Sequence, residues 1–316
     1  LQSEYRKVTK NSSHIADFSI NKTDDDKKNG TNTHFFSNSV FYLENDYFDE
    51  SNIDLKIEKV SNDNYTKLYS LESTSPIIKD TAILENMIEF SGSRDDFNLD
   101  ISFESYETMN KPNSDKYEFV YPNYSLNKTN YFDNKFFDQI DFTSSGNQKK
   151  FSTNIYEGVQ INDLMVKSNN FINKLGFNNT FVTFLKNVNT DSKNSSKLKD
   201  QSQSEMLAML VYDADWPLIK ENDNGKDLLT PKFSLRFSPN DTKNLTDEKR
   251  LLTTDNIFSL NRVGFSETIE SGGSLTLGLD YEKKSKTSDE TFFRSKVATI
   301  FRDEKNENLP ISSTIG

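Results

Sequence analysis

Residues 274–281 read Ser274-Leu-Thr-Leu-Gly-Leu-Asp-Tyr281. Successive side chains of an extended chain point to opposite sides, so Leu275, Leu277, Leu279 and Tyr281 share one face and Thr276, Gly278 and Asp280 the other. The same period of two recurs elsewhere. Phe233, Leu235 and Phe237 alternate with Lys232, Ser234 and Arg236, and Leu99, Ile101 and Phe103 with Asn98, Asp100, Ser102 and Glu104. Ile53, Leu55 and Ile57 alternate with Asp54, Lys56 and Glu58, and Tyr117, Phe119 and Tyr121 with Lys116, Glu118 and Val120. These are one-sided strands, and helical spacing fits none of them.

Polar segments with turn chemistry separate the strands: Lys22–Thr33 with its three aspartates and Gly30, Asp191–Ser204, Asn240–Thr254 and Lys283–Glu290. Gly, Asn, Asp and Ser suit αL positions and local side-chain caps. Roughly a dozen to sixteen strands at about 20-residue intervals are expected, the spacing of membrane strands of about 9–11 residues with turns and loops between them. A sandwich would turn about every 8–12 residues. The fold class read from this spacing is all-β: a large antiparallel transmembrane β-barrel with long polar surface loops.

Composition agrees. Of 316 residues 33% are hydrophobic and the net charge is −11, values that suggest disorder. The 25 Phe and 13 Tyr argue against a solvated coil, because something must bury those rings. A membrane strand needs only about half its residues apolar, and its loops need none. The polar-face candidates Lys56, Glu58, Asp100, Glu104, Arg236 and Asp280 are charged; they would be costly in a dry core and cheap in a water-filled lumen. Aromatic residues near strand ends, Tyr121, Tyr156, Tyr212, Trp216 and Tyr281, suit interfacial girdles or ordinary half-buried strand positions. The longest apolar stretch, Met206–Tyr212, is far too short for a transmembrane helix. Leu1-Gln-Ser-Glu-Tyr-Arg6 is no signal peptide, and a fragment of a longer exported chain is expected.

Nothing points to catalysis, a cofactor or a metal. The two histidines, His14 and His34, accompany no nucleophile motif, and His34 is expected at a strand start. With Gly225 at the sixth position of a calcium loop, Lys220 and Pro231 would fall at the first and twelfth, so that motif fails. Gly272-Gly273 relaxes the backbone where a strand begins rather than cradling phosphate. There are no cysteines, hence no disulfide and no thiolate site. Asn-x-Ser/Thr triplets such as Asn21-Lys-Thr23 are expected by chance in so Asn-rich a chain. The acidic balance argues against nucleic acid. Lys193, Lys197 and Lys199 in one loop, and Lys283, Lys284 and Lys286 in another, are candidates for glycolipid phosphates or plain solvated lysines.

Two segments resemble a known family. Asn32-Thr-His-Phe-Phe36 followed by Ile53–Tyr69, with Val60, Ser61, Tyr65 and Tyr69 in place, resembles the early barrel of the LptD family of lipopolysaccharide-assembly proteins. Asn62 stands where Asp is usual. Pro122 matches a proline that the family often has at a strand start. The second segment carries Pro217, Pro231, Pro239, Asn261, Arg262, Glu270 and Gly272 in the family's order and spacing, and 297–304 resembles the strand that follows. Glu267-Thr268 replaces the family's Asp-Arg, which puts any ion pair made by that Arg in doubt.

The resemblance implies that residues 1–316 are one partial barrel domain, roughly the first half of the barrel, beginning just after its first strand and stopping near mid-barrel. A periplasmic jelly-roll domain would precede it and further strands would follow. It also implies one long surface loop over Asn240–Gly272, although Asn256–Arg262 could equally be a short helix capped by Asp255. The implied function is non-enzymatic insertion of lipopolysaccharide into the outer leaflet of the outer membrane. The implied partners are lipopolysaccharide, a periplasmic lipopolysaccharide-bridge protein docking on the jelly roll, an LptE-like lipoprotein plug and outer-membrane lipid. The competing expectations are a general porin or receptor barrel, and a soluble or surface β-rich binding protein.

Overall fold

A computed structural model describes residues 1–310 except 24–29, 72–74, 79, 81, 152–153, 223–224 and 286–289. Its described residues form an all-β, antiparallel structure of 16 strands in one sheet. The strands are β1 (Gln2–Val8), β2 (Ser12–Thr23), β3 (Gly30–Tyr42), β4 (Glu50–Val60), β5 (Ile83–Arg94), β6 (Phe97–Thr108), β7 (Tyr117–Tyr131) and β8 (Phe137–Phe151), then β9 (Ile155–Ser168), β10 (Phe171–Ile172), β11 (Asn178–Lys193), β12 (Gln203–Asp215), β13 (Leu218–Asn222), β14 (Gly225–Ser238), β15 (Gly272–Ser285) and β16 (Thr291–Arg302). Neighbours in sequence are neighbours in the sheet. The short β10 and β13 are exceptions, lying off the path against β11 and β14. The path ends at β1 and β16, which do not pair with each other among the described residues.

The five alternating stretches lie in strands, save Lys116, which ends a helical turn just before β7, and the long strands run from 11 residues (β4) to 16 (β11). Most of them outrun the expected length, and parts of the supposed loops belong to strands, among them Lys22 in β2, Asp191–Lys193 in β11 and Lys283–Ser285 in β15. Lys286 lies outside the described residues. Turns are tight where the sequence supplies turn residues. Arg94 pairs with Phe97 across Asp95-Asp96. Pro122 sits inside β7 rather than at its start. Opposite it, the β6–β7 register shifts between Ser102 and Glu104.

Two compact units divide the chain: residues 1–128, 143–160 and 188–204, and residues 129–142, 161–187 and 205–316. In both, large apolar strand side chains are exposed, and in the second small polar ones are buried. Phe103 is 50% exposed, Phe237 53% and Val297 68%, whereas Ser234 and Thr276 are fully buried. The buried apolar clusters lie where connections fold back. In the first unit, Tyr65 and Leu71 come from the segment that holds the helical turn α1 (Tyr65–Leu68), and Ile78 from the same connection. They pack with Phe36, Leu84 and Met109. In the second, Ile269 joins Phe184, Leu207, Met209 and Val211, while Leu245 and Val263 pack with Leu309.

Candidate functional site

Charged residues on the polar strand faces are engaged in ion pairs and hydrogen bonds. On β4, Lys56 Nζ lies 2.5 Å from Glu85 and 3.2 Å from Glu58, whose carboxylate also accepts the Glu85 backbone N–H at 2.8 Å. Glu58 is buried, which departs from the open, wet position expected of it. Pro76, Ile77 and Asp80 lie over this part of the face. Together with Asn38, Lys56, Glu58, Glu85 and Tyr106, they line a cavity of about 660 Å³. On β6, Glu104 accepts hydrogen bonds from Ser102, from Tyr106 at 2.7 Å and from Asn123 at 3.0 Å. Asp100 is half-buried and stands across from Ser91 and Ser125. Asp280 on β15 takes Lys232 of β14 at 2.6 Å.

Arg236 departs furthest from expectation. It lies on the polar face of β14 but is buried, because residues 239–271 fold against that face. Its guanidinium donates to the carbonyls of Ser259 and Phe258, both at 2.7 Å. The connection contains neither strand nor α-helix, which settles the alternatives for 256–262. It is also not a plain surface loop, because Leu245, Ile257, Arg262, Val263 and Ile269 are all buried. Gly272 belongs to β15 as its first residue, at φ +77°. Gly278 gives the connection its seat: a Cβ there would lie 2.7 Å from the Phe258 ring.

The second motif segment converges here. Arg262 is 1% exposed and forms a two-pronged ion pair with Glu270, one prong at 2.8 Å. It also donates to Ser274 at 2.6 Å and to Thr276 at 2.9 Å, both on β15. Arg302 on β16 adds a 2.8 Å contact to Glu270. The missing Asp-Arg therefore does not orphan Glu270. Burial alone would raise the Glu270 carboxyl, but Arg262 and Arg302 outweigh it and hold the carboxyl below the usual range. Asn261 closes the neighbouring turn, donating to Phe265 O at 3.0 Å and accepting from Gly264 N at 3.0 Å. Pro239 directly follows β14, and Pro217 lies exposed between β12 and β13. The carbonyl of Pro231 accepts the Trp216 N–H at 2.9 Å.

The first motif segment also has a structural meaning. Tyr65 packs edge-on to His34 at 5.5 Å and against Tyr69 at 4.6 Å. Ser61 Oγ accepts the Thr33 N–H at 3.0 Å. His34 lies inside β3 rather than at its start, stacked on Phe36. Its Nε2 is 3.2 Å from Asp17 and its Nδ1 is 2.9 Å from Ser19. Neither Asp17 nor its register with His34 was visible in the sequence. The helical turn α2 (Asn113–Lys116) supplies Lys116, which bridges Asp63 at 2.6 Å and Glu107 at 2.9 Å. These two carboxylates raise the Lys116 ammonium. Lys116 in turn draws the Asp63 carboxyl below its usual value.

Among the described residues no group of three or more His, Cys, Asp or Glu side chains is arranged to hold a metal ion. Charges, amides and hydroxyls alternate along one strand face, and apolar side chains are exposed on the other. No protein-family model matches the sequence, and no curated protein matches it with significance.

Proposed function

We propose that this chain is part of the wall of an outer-membrane β-barrel that conducts lipopolysaccharide to the outer leaflet, as the LptD family does. The observation that carries the membrane half of this reading is the inverted dressing of the strands. In the first unit Phe103 is exposed on one strand face while Glu58 is buried on the other; in the second Phe237, Leu277 and Val297 are exposed while Ser234, Arg236 and Thr276 on the opposite face are buried. Water selects against such apolar exposure, whereas a bilayer requires it. The polar face would then line the lumen, where alternating carboxylates, ammonium groups and amides can exchange hydrogen bonds with a passing polyhydroxylated headgroup.

The transport half rests on the ordered motif residues. Arg262, Glu270 and Gly272 anchor one connection and Tyr65 and Tyr69 the other, so each motif maps to a device that shapes the polar face. The partners in this reading are the lipopolysaccharide itself, a periplasmic bridge protein, an LptE-like lipoprotein plug and the surrounding outer-membrane lipid.

The test is depletion of the full-length protein while newly made lipopolysaccharide is followed to the cell surface. Arrest of surface arrival, with other outer-membrane barrels still assembling, supports the reading. Normal arrival with reduced uptake of a small solute replaces it with a porin.

A further inference from the structure

On the first unit, a second recognition surface lies on the opposite side of the strands from the ion-paired face. Tyr124 on β7 stands across from Ile101, and Leu126 across from Leu99, so both belong to the face that carries half-exposed Phe103. Towards one end of these strands that face stops being apolar. A cavity of about 560 Å³ opens there, lined by Tyr124, Tyr156, Gln160, Asn189 and Ser204 among others. This volume falls in the range of small-molecule sites, about 300–1,000 Å³.

Hydrogen bonds run across five strands to set the lining. Ser204 Oγ on β12 donates to Asn189 Oδ1 on β11 at 2.7 Å, and Asn189 Nδ2 reaches Gln160 Oε1 on β9 at 3.4 Å. Gln160 Nε2 donates to the Tyr124 hydroxyl at 3.0 Å, which is 3.2 Å from Ser144 Oγ on β8. The Tyr124 ring reaches across β8 because Gly146 leaves the way open: a Cβ there would sit 2.9 Å from the ring.

We infer that this cavity is a binding site for uncharged sugar rings. Its lining has no lysine or arginine among the described residues and one carboxylate, Asp191, which accepts from Ser202 at 2.9 Å. A phosphate or another anion would meet no cation there. A purely apolar ligand would strip water from amides and hydroxyls without replacing their hydrogen bonds. A peptide adding as a strand needs an unpaired sheet edge, and the strands that carry Tyr124, Gln160 and Asn189, namely β7, β9 and β11, are interior to the sheet. Sugar rings fit what remains: vicinal hydroxyls both donate to and accept from side-chain amides, and C–H faces lie against tyrosine rings.

Two sources could supply such rings, a free oligosaccharide and the headgroup of a membrane glycolipid. The second source rests on the membrane reading above, which would set this face beside the headgroups.

The experiment uses the purified full-length protein. One arm measures binding to an array of neutral tri- to pentasaccharides in detergent solution. The other compares nanodiscs of lipopolysaccharide plus phospholipid with nanodiscs of phospholipid alone. Gln160→Leu and Asn189→Leu are introduced singly and together, with circular dichroism as the check on folding. The expected result is binding to at least one neutral glycan, weakened about tenfold or more in the double variant. If Asn189→Leu fails to fold, the exposed Gln160→Leu alone still reads the site through a smaller loss. Binding in the array assigns a saccharide site even if the protein proves to need no detergent, so failure of the membrane reading is seen separately. Selective binding to the lipopolysaccharide discs, lost in the same variants, identifies the glycolipid as the source. No binding in either arm, or binding that the variants leave unchanged, overturns the site. Binding only to phosphorylated glycans, abolished by phosphatase, overturns the sugar assignment.

Discussion

Arg262 and Glu270 lie eight positions apart on a connection without regular structure, yet they form a deeply buried ion pair, with side chains 1% and 8% exposed. Arg262 then reaches Ser274 and Thr276 on β15, so one side chain fastens the connection both to itself and to the sheet. Removing one partner of a buried pair leaves an uncompensated charge, at about 3–5 kcal/mol. Arg262→Ala is therefore expected to release 239–271 from β14 and β15. Hydrogen exchange of the backbone amides in 242–271 checks this: a large loss of protection there, with strand amides unchanged, is the predicted pattern.

The same pair predicts a response to acid. The Glu270 carboxyl is held below its ordinary value, about 4.3 for a free side chain. A depressed carboxylate contributes stability that is fully present above the unfolded value and is lost as the pH falls through the folded one. Protection of the connection should thus be level from pH 7 to about 5 and fall away below about 4. Glu270→Gln should remove most of that acid step. A connection that loosens between pH 7 and 5 in the unaltered protein would contradict the assignment.

Gly278 offers a test without charge. A side chain there meets the Phe258 ring, and the neighbouring β16 backbone lies close as well. Gly278→Val should unseat Phe258 and with it the carbonyls that Arg236 holds, at about 1–3 kcal/mol for overpacking. Pairing Gly278→Val with Phe258→Ala should restore part of the loss in a thermal melt, because the smaller loop side chain removes the clash. No recovery would mean that Phe258 is not what the glycine accommodates.

How much of this could be read from the chain depends on the range of each signal. Strand identity is local: Leu275, Leu277 and Leu279 announce their face by period alone, and the structure keeps them together. Charge on the opposite face was equally plain at Lys56, Glu104 and Asp280. What covers a face is not local. Arg236 and Lys232 look alike in sequence, yet one is sealed under Ser259 and the other meets Asp280. The Asp17–His34 contact needs the β2–β3 register, which pairs His34 with Ser19 and puts Asp17 opposite Phe36. A shift of one residue would have turned His34 to the other face. The consecutive Phe35 and Phe36 gave no phase either, and only packing with Tyr65, Leu71 and Ile78 selects Phe36 for burial.

The last prediction separates a bilayer from water as the medium of the apolar face. Phe103 and Leu277 lie on different strands, with exposures of 50% and 42%, and neither is in a buried cluster. In water, arginine at such positions would be tolerated, since surface substitutions away from special features change stability by about 0.5 kcal/mol or less. Facing the middle of a bilayer, arginine costs about 2–4 kcal/mol, and less towards the interfaces. Phe103→Arg and Leu277→Arg are therefore expected to impair folding of the full-length protein into phospholipid vesicles, measured by urea titration. Lys232→Gln, on the opposite face, should lose only the Asp280 pair, a smaller effect. Equal tolerance of all three substitutions, with a folded protein that stays dispersed without detergent, would show that the exposed face is wetted by water and would remove the membrane reading at its root.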